Sequence, residues 1–383
     1  MTVLDTVLTR EPVVNLRQAI TANRLLLHAS STESALESLR RLRPFWPSAH
    51  TVFLSFGRLV PGPELLTWDW PEGTFLEIPS PALSHPKVQA LLPLAAEKKL
   101  PLCLGWYDGT SPVPPLGNWR FTLVDLRLSP VPGKAPGIAL AWGLTDPARF
   151  EETIAKGFSG VCGWFFLRRL VDISMAKREV SPSYGIVLQL IQKLKEDADI
   201  GEIEDLLKHD VALSYRLLRY INSAGMGLLC EITSFRHAVQ ILGYGNLLRW
   251  LTLLLLHASP HPSQQTLVQT SIARGRLMEE IGKAFLAEEY SDQLFLCGAC
   301  SLLDVLLGIP MEKLLGEIAL SESICETLLT GRGELAPFLE LAKACESADP
   351  TSLRHHAEKL SLSTDTLNRA HIIALEYADR LNG

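Results

Sequence analysis

The hydrophobic pattern changes its period once, close to residue 180, and that single change constrains the fold more than any motif does. Before it, short apolar and β-branched runs recur: Thr51-Val-Phe-Leu-Ser-Phe56, Phe75-Leu-Glu-Ile78, Pro101-Leu-Cys-Leu104, Phe121-Thr-Leu-Val124, Gly137-Ile-Ala-Leu-Ala141 and the run 161–166. Runs of this kind predict strands. Amphipathic stretches at 34–42, 88–99 and 147–156 separate them, and strand–helix alternation predicts a parallel sheet or a (β/α) barrel. A full eight-unit barrel usually takes roughly 250 residues. The shorter N-terminal half therefore predicts an incomplete TIM-like barrel.

After Ser181-Pro182 apolar residues recur at i, i+3, i+4 and i+7, which predicts an all-α half. Asp199 with Glu202 makes a capping-box pattern, Ser234 can cap the next helix and Gly243 can end it. Further helices are expected over 267–288, 292–307, 321–329, 335–346, 351–359 and 364–381. The chain of 383 residues thus reads as two domains, 1–175 (α/β) and 176–383 (all-α).

Composition narrows the function classes. With 47% hydrophobic and 20% charged residues the chain can bury a core, so general disorder is excluded. A net charge of -6 without a Lys/Arg block argues against nucleic-acid binding. The apolar stretch 247–256 carries Arg249 and is about half the length a membrane crossing needs, so it reads as a buried helix without membrane insertion. No secretory signal is seen at the start, and the odd count of 7 cysteines lacks disulfide-framework spacing; both predict a cytoplasmic protein. Cys297 and Cys300 form a C-x-x-C without a second pair, and are expected to be buried helix residues rather than a metal site.

Two resemblances sharpen this reading. The stretch from Asp197 to Ser223, followed by Glu231-Ile-Thr-Ser-Phe-Arg-His-Ala-Val-Gln-Ile-Leu-Gly243, resembles the HDOD domain, an all-helical relative of HD-type phosphohydrolases. The N-terminal half is similar to a degenerate EAL domain, whose active members hydrolyse cyclic di-GMP with a divalent metal. Arg10-Glu-Pro-Val-Val-Asn-Leu-Arg17, Arg24-Leu-Leu-Leu27, Phe75-Leu-Glu-Ile78, Leu123-Val-Asp-Leu126 and the stretch 157–166 carry that likeness.

Metal-dependent phosphodiester hydrolysis needs convergent carboxylates. The resemblance places Arg24 where the signature glutamate stands, Ser55 for the strand asparagine, and Gly105-Trp106 for the paired aspartates, with Asp108 as a displaced remnant. Leu123, Trp142, Thr145 and Cys162 take other ligand positions. Glu77 and Asp125 remain as acidic positions, read as leftover polar residues at strand ends. In the helical half the HD position falls on Ser301-Leu302 or Leu303-Asp304, without histidine. His209-Asp210 is placed in a surface or capping role, and His355-His356 point apart on a helix.

No catalytic residue, metal or cofactor is therefore expected. The resemblance implies a non-catalytic signalling or adaptor protein acting through protein contacts in cyclic di-GMP-linked, motility or biofilm regulation. Response regulators, diguanylate cyclases, pilus or motility components and a second copy of the chain are the partners it suggests. Asp210, Arg216, Asn222, Ser223, Met226, Ser234, Arg236 and Gly243 form its HDOD signature and a partner surface. The alternative is a receptor that binds cyclic di-GMP or another nucleotide without turnover, with Arg24 on a phosphate and Trp106 or Trp142 on a base. Residual phosphodiesterase activity ranks last.

Overall fold

The structure, a computed structural model, describes residues 6–167, 183–196, 199–208, 235–257, 263–287, 290–318, 320–347 and 349–381. The chain divides into two compact units: Met1–Ile173 with Pro337–Gly383, and Ser174–Ala336.

In the first unit eight strands close a barrel: β1 (Val7–Asn15), β2 (Ile20–His28), β3 (Thr51–Ser55), β4 (Thr74–Pro79), β5 (Pro101–Tyr107), β6 (Asn118–Asp125), β7 (Ile138–Trp142) and β8 (Gly160–Cys162). β1 is antiparallel to both of its neighbours, β2 and β8, and every other pair is parallel. Helices α1 (Thr32–Leu42), α2 (Pro86–Glu97) and α3 (Phe150–Ala155) follow β2, β4 and β7, whereas β5, β6 and β7 are linked without an α-helix. The expected incomplete barrel is thus corrected. It is complete in strands and short of helices, because a hairpin and three crossovers without an α-helix (β3–β4, β5–β6 and β6–β7) save the residues that outer helices would take.

Alternate residues of each strand face the axis, as a period of two requires. Val13, Ala22, Phe53, Cys103, Leu123, Leu140 and Cys162 make one apolar cluster, with Phe75, Phe121 and Trp142 packed against it. Phe53, Phe75 and Phe121 meet edge to face in all three pairings.

The second unit is helical: α4 (Ser183–Lys195), α5 (Ile200–Lys208), α6 (Phe235–His257), α7 (Gln264–Gly282), α8 (Ser291–Cys300), α9 (Leu303–Leu307), α10 (Met311–Glu317) and α11 (Glu322–Thr330). Within the span of α6, Gly243 has non-helical φ 70 and ψ 171, so it ends one helix there, as expected, and a second starts directly after it. The apolar stretch 247–256 is buried in α6, and its Arg249 forms a bidentate pair with Glu279 at 3.0 and 3.1 Å. Cys297 and Cys300 are buried in α8, as expected.

Helices α12 (Ala336–Cys345), α13 (Pro350–Lys359) and α14 (Thr364–Leu381) close the chain. Apart from Ala336 they belong to the barrel unit, not to the helical one, which departs from the 176–383 boundary read from periodicity. The reason is visible in the side chains of α14. Asn368 accepts the Leu8 backbone N–H at 3.0 Å and donates to the Thr6 carbonyl at 3.0 Å, while Asp379 accepts from Asn23 at 2.9 Å. Leu367, Ile372, Leu375 and Ala378 are buried beside them, so α14 serves as an outer barrel helix. Among the described residues no helix is long and apolar enough to cross a membrane.

Candidate functional site at the barrel mouth

One step along each strand from the apolar cluster the barrel interior turns polar. Two residues on from Ala22 comes Arg24; two on from Phe75, Glu77; two on from Leu123, Asp125; two on from Leu140, Trp142. On the antiparallel β1 the same level is reached two residues before Val13, at Glu11, which lies opposite Arg24 in register. These positions approach the carboxyl ends of the parallel strands, the face on which barrel enzymes carry their sites.

Arg24 organises this layer. Its Nε and Nη2 donate to the two Glu77 carboxylate oxygens at 2.6 Å each, and its Nη1 donates to Glu11 Oε2 at 2.5 Å. Arg24 is 1% exposed and Glu77 0%. Burial alone would lower the guanidinium pKa, but Glu77 and Glu11 outweigh it and hold Arg24 well above its usual range. A fork meeting two carboxylates is a charge-assisted arrangement with little freedom to turn toward a ligand. Trp142 Nε1 also donates to Glu11 at 3.2 Å, and the Arg24 guanidinium lies 5.2 Å from the Trp142 ring centroid.

The remaining candidates separate. Asp125 accepts from the Arg127 backbone and guanidinium at 2.6–3.0 Å, and those hydrogen bonds lower its pKa. Arg127 in turn lies over Trp142 at 4.9 Å. Trp106 stacks on Trp142 with centroids 5.6 Å apart, so the two tryptophans are brought together. Trp106 is the exposed one, at 43%, and sits in left-handed backbone with φ 55, within the register shift of β5 between Leu104 and Tyr107. Asp108 follows β5 directly. Hydrogen bonds from Ser111 and Thr110 pin it in its own loop and lower its pKa to about 2.

Gly105 explains how the ion pair fits. A Cβ there would lie 2.4 Å from Glu77 Oε1, so the strand position that the resemblance gives to paired aspartates must carry no side chain. The thiols of Cys103 and Cys162 are pushed up chiefly by burial and stay protonated. Among the described residues no three His, Cys, Asp or Glu side chains converge to hold a metal ion.

In the helical unit Ser301 accepts from Arg274 at 3.0 Å and donates to the Gly298 carbonyl, a helix-end role. Asp210, Arg216, Asn222, Ser223, Met226 and Ser234, with His209, lie outside the described residues, as does the side chain of Arg236; the backbone of Arg236 is in α6. Glu11 and Arg127 were missed by sequence reasoning. An opposite-charge pair facing across a hairpin was the available signal for Glu11, but it requires 7–15 and 20–28 to be recognised as strands.

The family model for the HDOD domain matches residues 182–304, so the chain carries an HDOD domain within its helical unit. Among curated proteins it is 26% identical over 234 residues to the cyclic di-GMP phosphodiesterase CdgJ of Vibrio cholerae, a match covering 61% of this chain and 54% of that one. It is also 26% identical over 214 residues to the uncharacterized protein YuxH of Bacillus subtilis, covering 55% and 51%. The chain thus spans about half the length of the curated relatives it matches. A crystal structure of an HDOD domain protein of unknown function from Geobacter sulfurreducens shares 20% identity, with TM-score 0.27, over 54% of this chain and 74% of that one.

Proposed function

We propose that the chain is a non-catalytic cytoplasmic signalling protein in which an EAL-type barrel and an HDOD unit act through protein contacts in cyclic di-GMP-linked regulation. One observation carries the reading: the Arg24 guanidinium sits between the barrel's buried carboxylates Glu11 and Glu77. A metal needs those oxygens free and a place for its own positive charge, and Arg24 takes both. Asp125 is tied to Arg127, so it offers no substitute. The name of the Vibrio cholerae relative supports the link to cyclic di-GMP. A receptor that uses Arg24 on a phosphate would first have to draw that guanidinium away from two carboxylates, so the adaptor reading is preferred.

The test has two arms. Purified full-length chain incubated with cyclic di-GMP and Mg²⁺ or Mn²⁺ is expected to give no more product than its Glu77→Gln variant; turnover that this substitution abolishes would overturn the reading. Against purified diguanylate cyclases, response regulators and pilus components, saturable binding to one class is expected. Binding to none of them removes the adaptor function.

A further inference from the structure

The parallel strands enter the barrel at the end opposite the Arg24 layer, where barrel proteins usually carry no site. At that end the chain leaves large apolar side chains in solvent. Leu16, in the β1–β2 turn, is 62% exposed; Leu116, two residues before β6, is 49% exposed; Ile138, the first residue of β7, is 46% exposed. Ile138 stands two residues before the axial Leu140, so it faces the barrel interior at its open end. Its register partner Phe121 is only half-buried, as is Phe75 beside it. The order β1, β8, β7, β6 makes these positions neighbours, and strand spacing puts Leu16 and Leu116 roughly 15 Å apart.

Cations stand around this apolar floor. Arg17 follows Leu16, Lys99 precedes β5, and Arg120 precedes Phe121; all are exposed and, among the described residues, none makes an ion pair. The Lys99 carbonyl accepts from Asn118 Nδ2 at 3.4 Å, which ties the entry of β5 to that of β6. The β1–β2 turn and the runs into β6 and β7 (16–19, 112–118 and 133–138) contain no Asp or Glu; the acidic Glu72 and Glu97 precede β4 and β5. A single exposed leucine is ordinary. Apolar points from three separate connections, over half-buried aromatic rings and ringed by unpaired cations, are not.

We infer that this end of the barrel docks on an anionic membrane surface. Leu16, Leu116 and Ile138 enter the boundary between headgroups and acyl chains, while Arg17, Lys99 and Arg120 meet the headgroup anions. A protein partner would call for a pocket to receive its anchors, whereas this end presents exposed points on turns. The contact is interfacial and nothing spans the bilayer. It goes beyond the adaptor reading and stands without it, and it leaves the Arg24 end of the barrel facing away from the lipid.

Flotation of the full chain with vesicles of phosphatidylcholine alone, and of an equal mixture with phosphatidylserine, tests this. Binding to the mixed vesicles and not to phosphatidylcholine is expected, and salt at about 1 M, where the Debye length is about 3 Å, should release the protein. Arg17→Gln combined with Arg120→Gln should weaken binding by about twentyfold, each cation near the surface contributing about fivefold. Leu16→Ser combined with Leu116→Ser should weaken it by about tenfold or more. These side chains are exposed, so both double variants should keep the wild-type melting temperature, which separates lost docking from lost folding. No binding to mixed vesicles at low salt, or wild-type affinity in either double variant, overturns the inference. Retention on polyglutamate without vesicle binding overturns it as well, in favour of an acidic protein partner.

Discussion

Removing the Arg24 side chain would strand two carboxylates inside the barrel. Breaking a buried pair in this way costs about 3–5 kcal/mol, because the partner charges lose both water and counter-ion. Arg24→Ala should therefore lower the denaturant midpoint sharply, and adding Glu11→Gln and Glu77→Gln to it should recover part of the loss. A single Arg24→Ala variant as stable as the parent would show that the pair contributes nothing to the fold. His371 gives a second residue-scale outcome. Burial first, and then the charge of Arg10, lower its pKa from 6.5 to about 3, and burial with Arg354 and other cations lowers His28 to about 4. As pH falls below about 6.5 the unfolded imidazoles take up protons that the folded ones refuse. Stability is then full above that value and drops by about 1.4 kcal/mol per unit and per histidine as pH falls toward the folded values. Urea midpoints measured across that window should show this slope, and His371→Gln should make it shallower. Arg24 was legible in the sequence as a departure from a ligand pattern, and Glu77 as a remnant of it. Their bond was not, since a search for missing carboxylates does not ask which carboxylate a new cation has found.

At the scale of elements, what was legible follows from burial. Strands β3 to β8 are short apolar runs and were recognisable as such. β1 and β2 carry Arg10, Glu11, Asn23 and Arg24, all of them buried, and charged residues buried on a strand defeat a reading based on hydrophobicity. Those polar residues have partners that no local window contains: Arg24 for Glu11, Asp379 for Asn23 and α14 for the Leu8 backbone. Asn368→Ala would leave the Leu8 N–H and the Thr6 carbonyl unpaired in a buried seam, at a cost of about 1–3 kcal/mol for each stranded group. A lowered melting temperature in that variant, with slow amide exchange lost at Leu8, is the expected result; unchanged protection at Leu8 would mean that α14 does not hold β1. The helical unit offers a parallel case. A Cβ on Gly298 would lie 2.6 Å from the Gly275 Cα, so α7 and α8 cross backbone against backbone, and this tight crossing left no trace in the apolar periodicity.

For the whole molecule, the decisive point is the order of the chain relative to its units. The barrel unit is discontinuous: its last helices come after the entire helical unit in sequence, and α14 packs on the first strand. Periodicity cannot reveal this, because α14 looks like any other amphipathic helix; only the partner of its buried face tells which unit it serves. The two halves drawn from sequence, 1–175 and 176–383, are therefore unequal as folding units. The first lacks α14, whose Leu367, Ile372, Leu375 and Ala378, each at most 1% exposed in the whole protein, are buried in the barrel unit and whose Asn368 bonds the Leu8 backbone. Exposing apolar side chains of that size costs about 1.5–3 kcal/mol each, comparable in sum to the net stability of a domain. Residues 1–175 alone should therefore be marginal or aggregate, and residues 337–383 added in trans should raise the melting temperature of the piece and restore its far-ultraviolet signal. A piece 1–175 that melts cooperatively at the full-length temperature, unaffected by the added helices, would show that the barrel is independent of them.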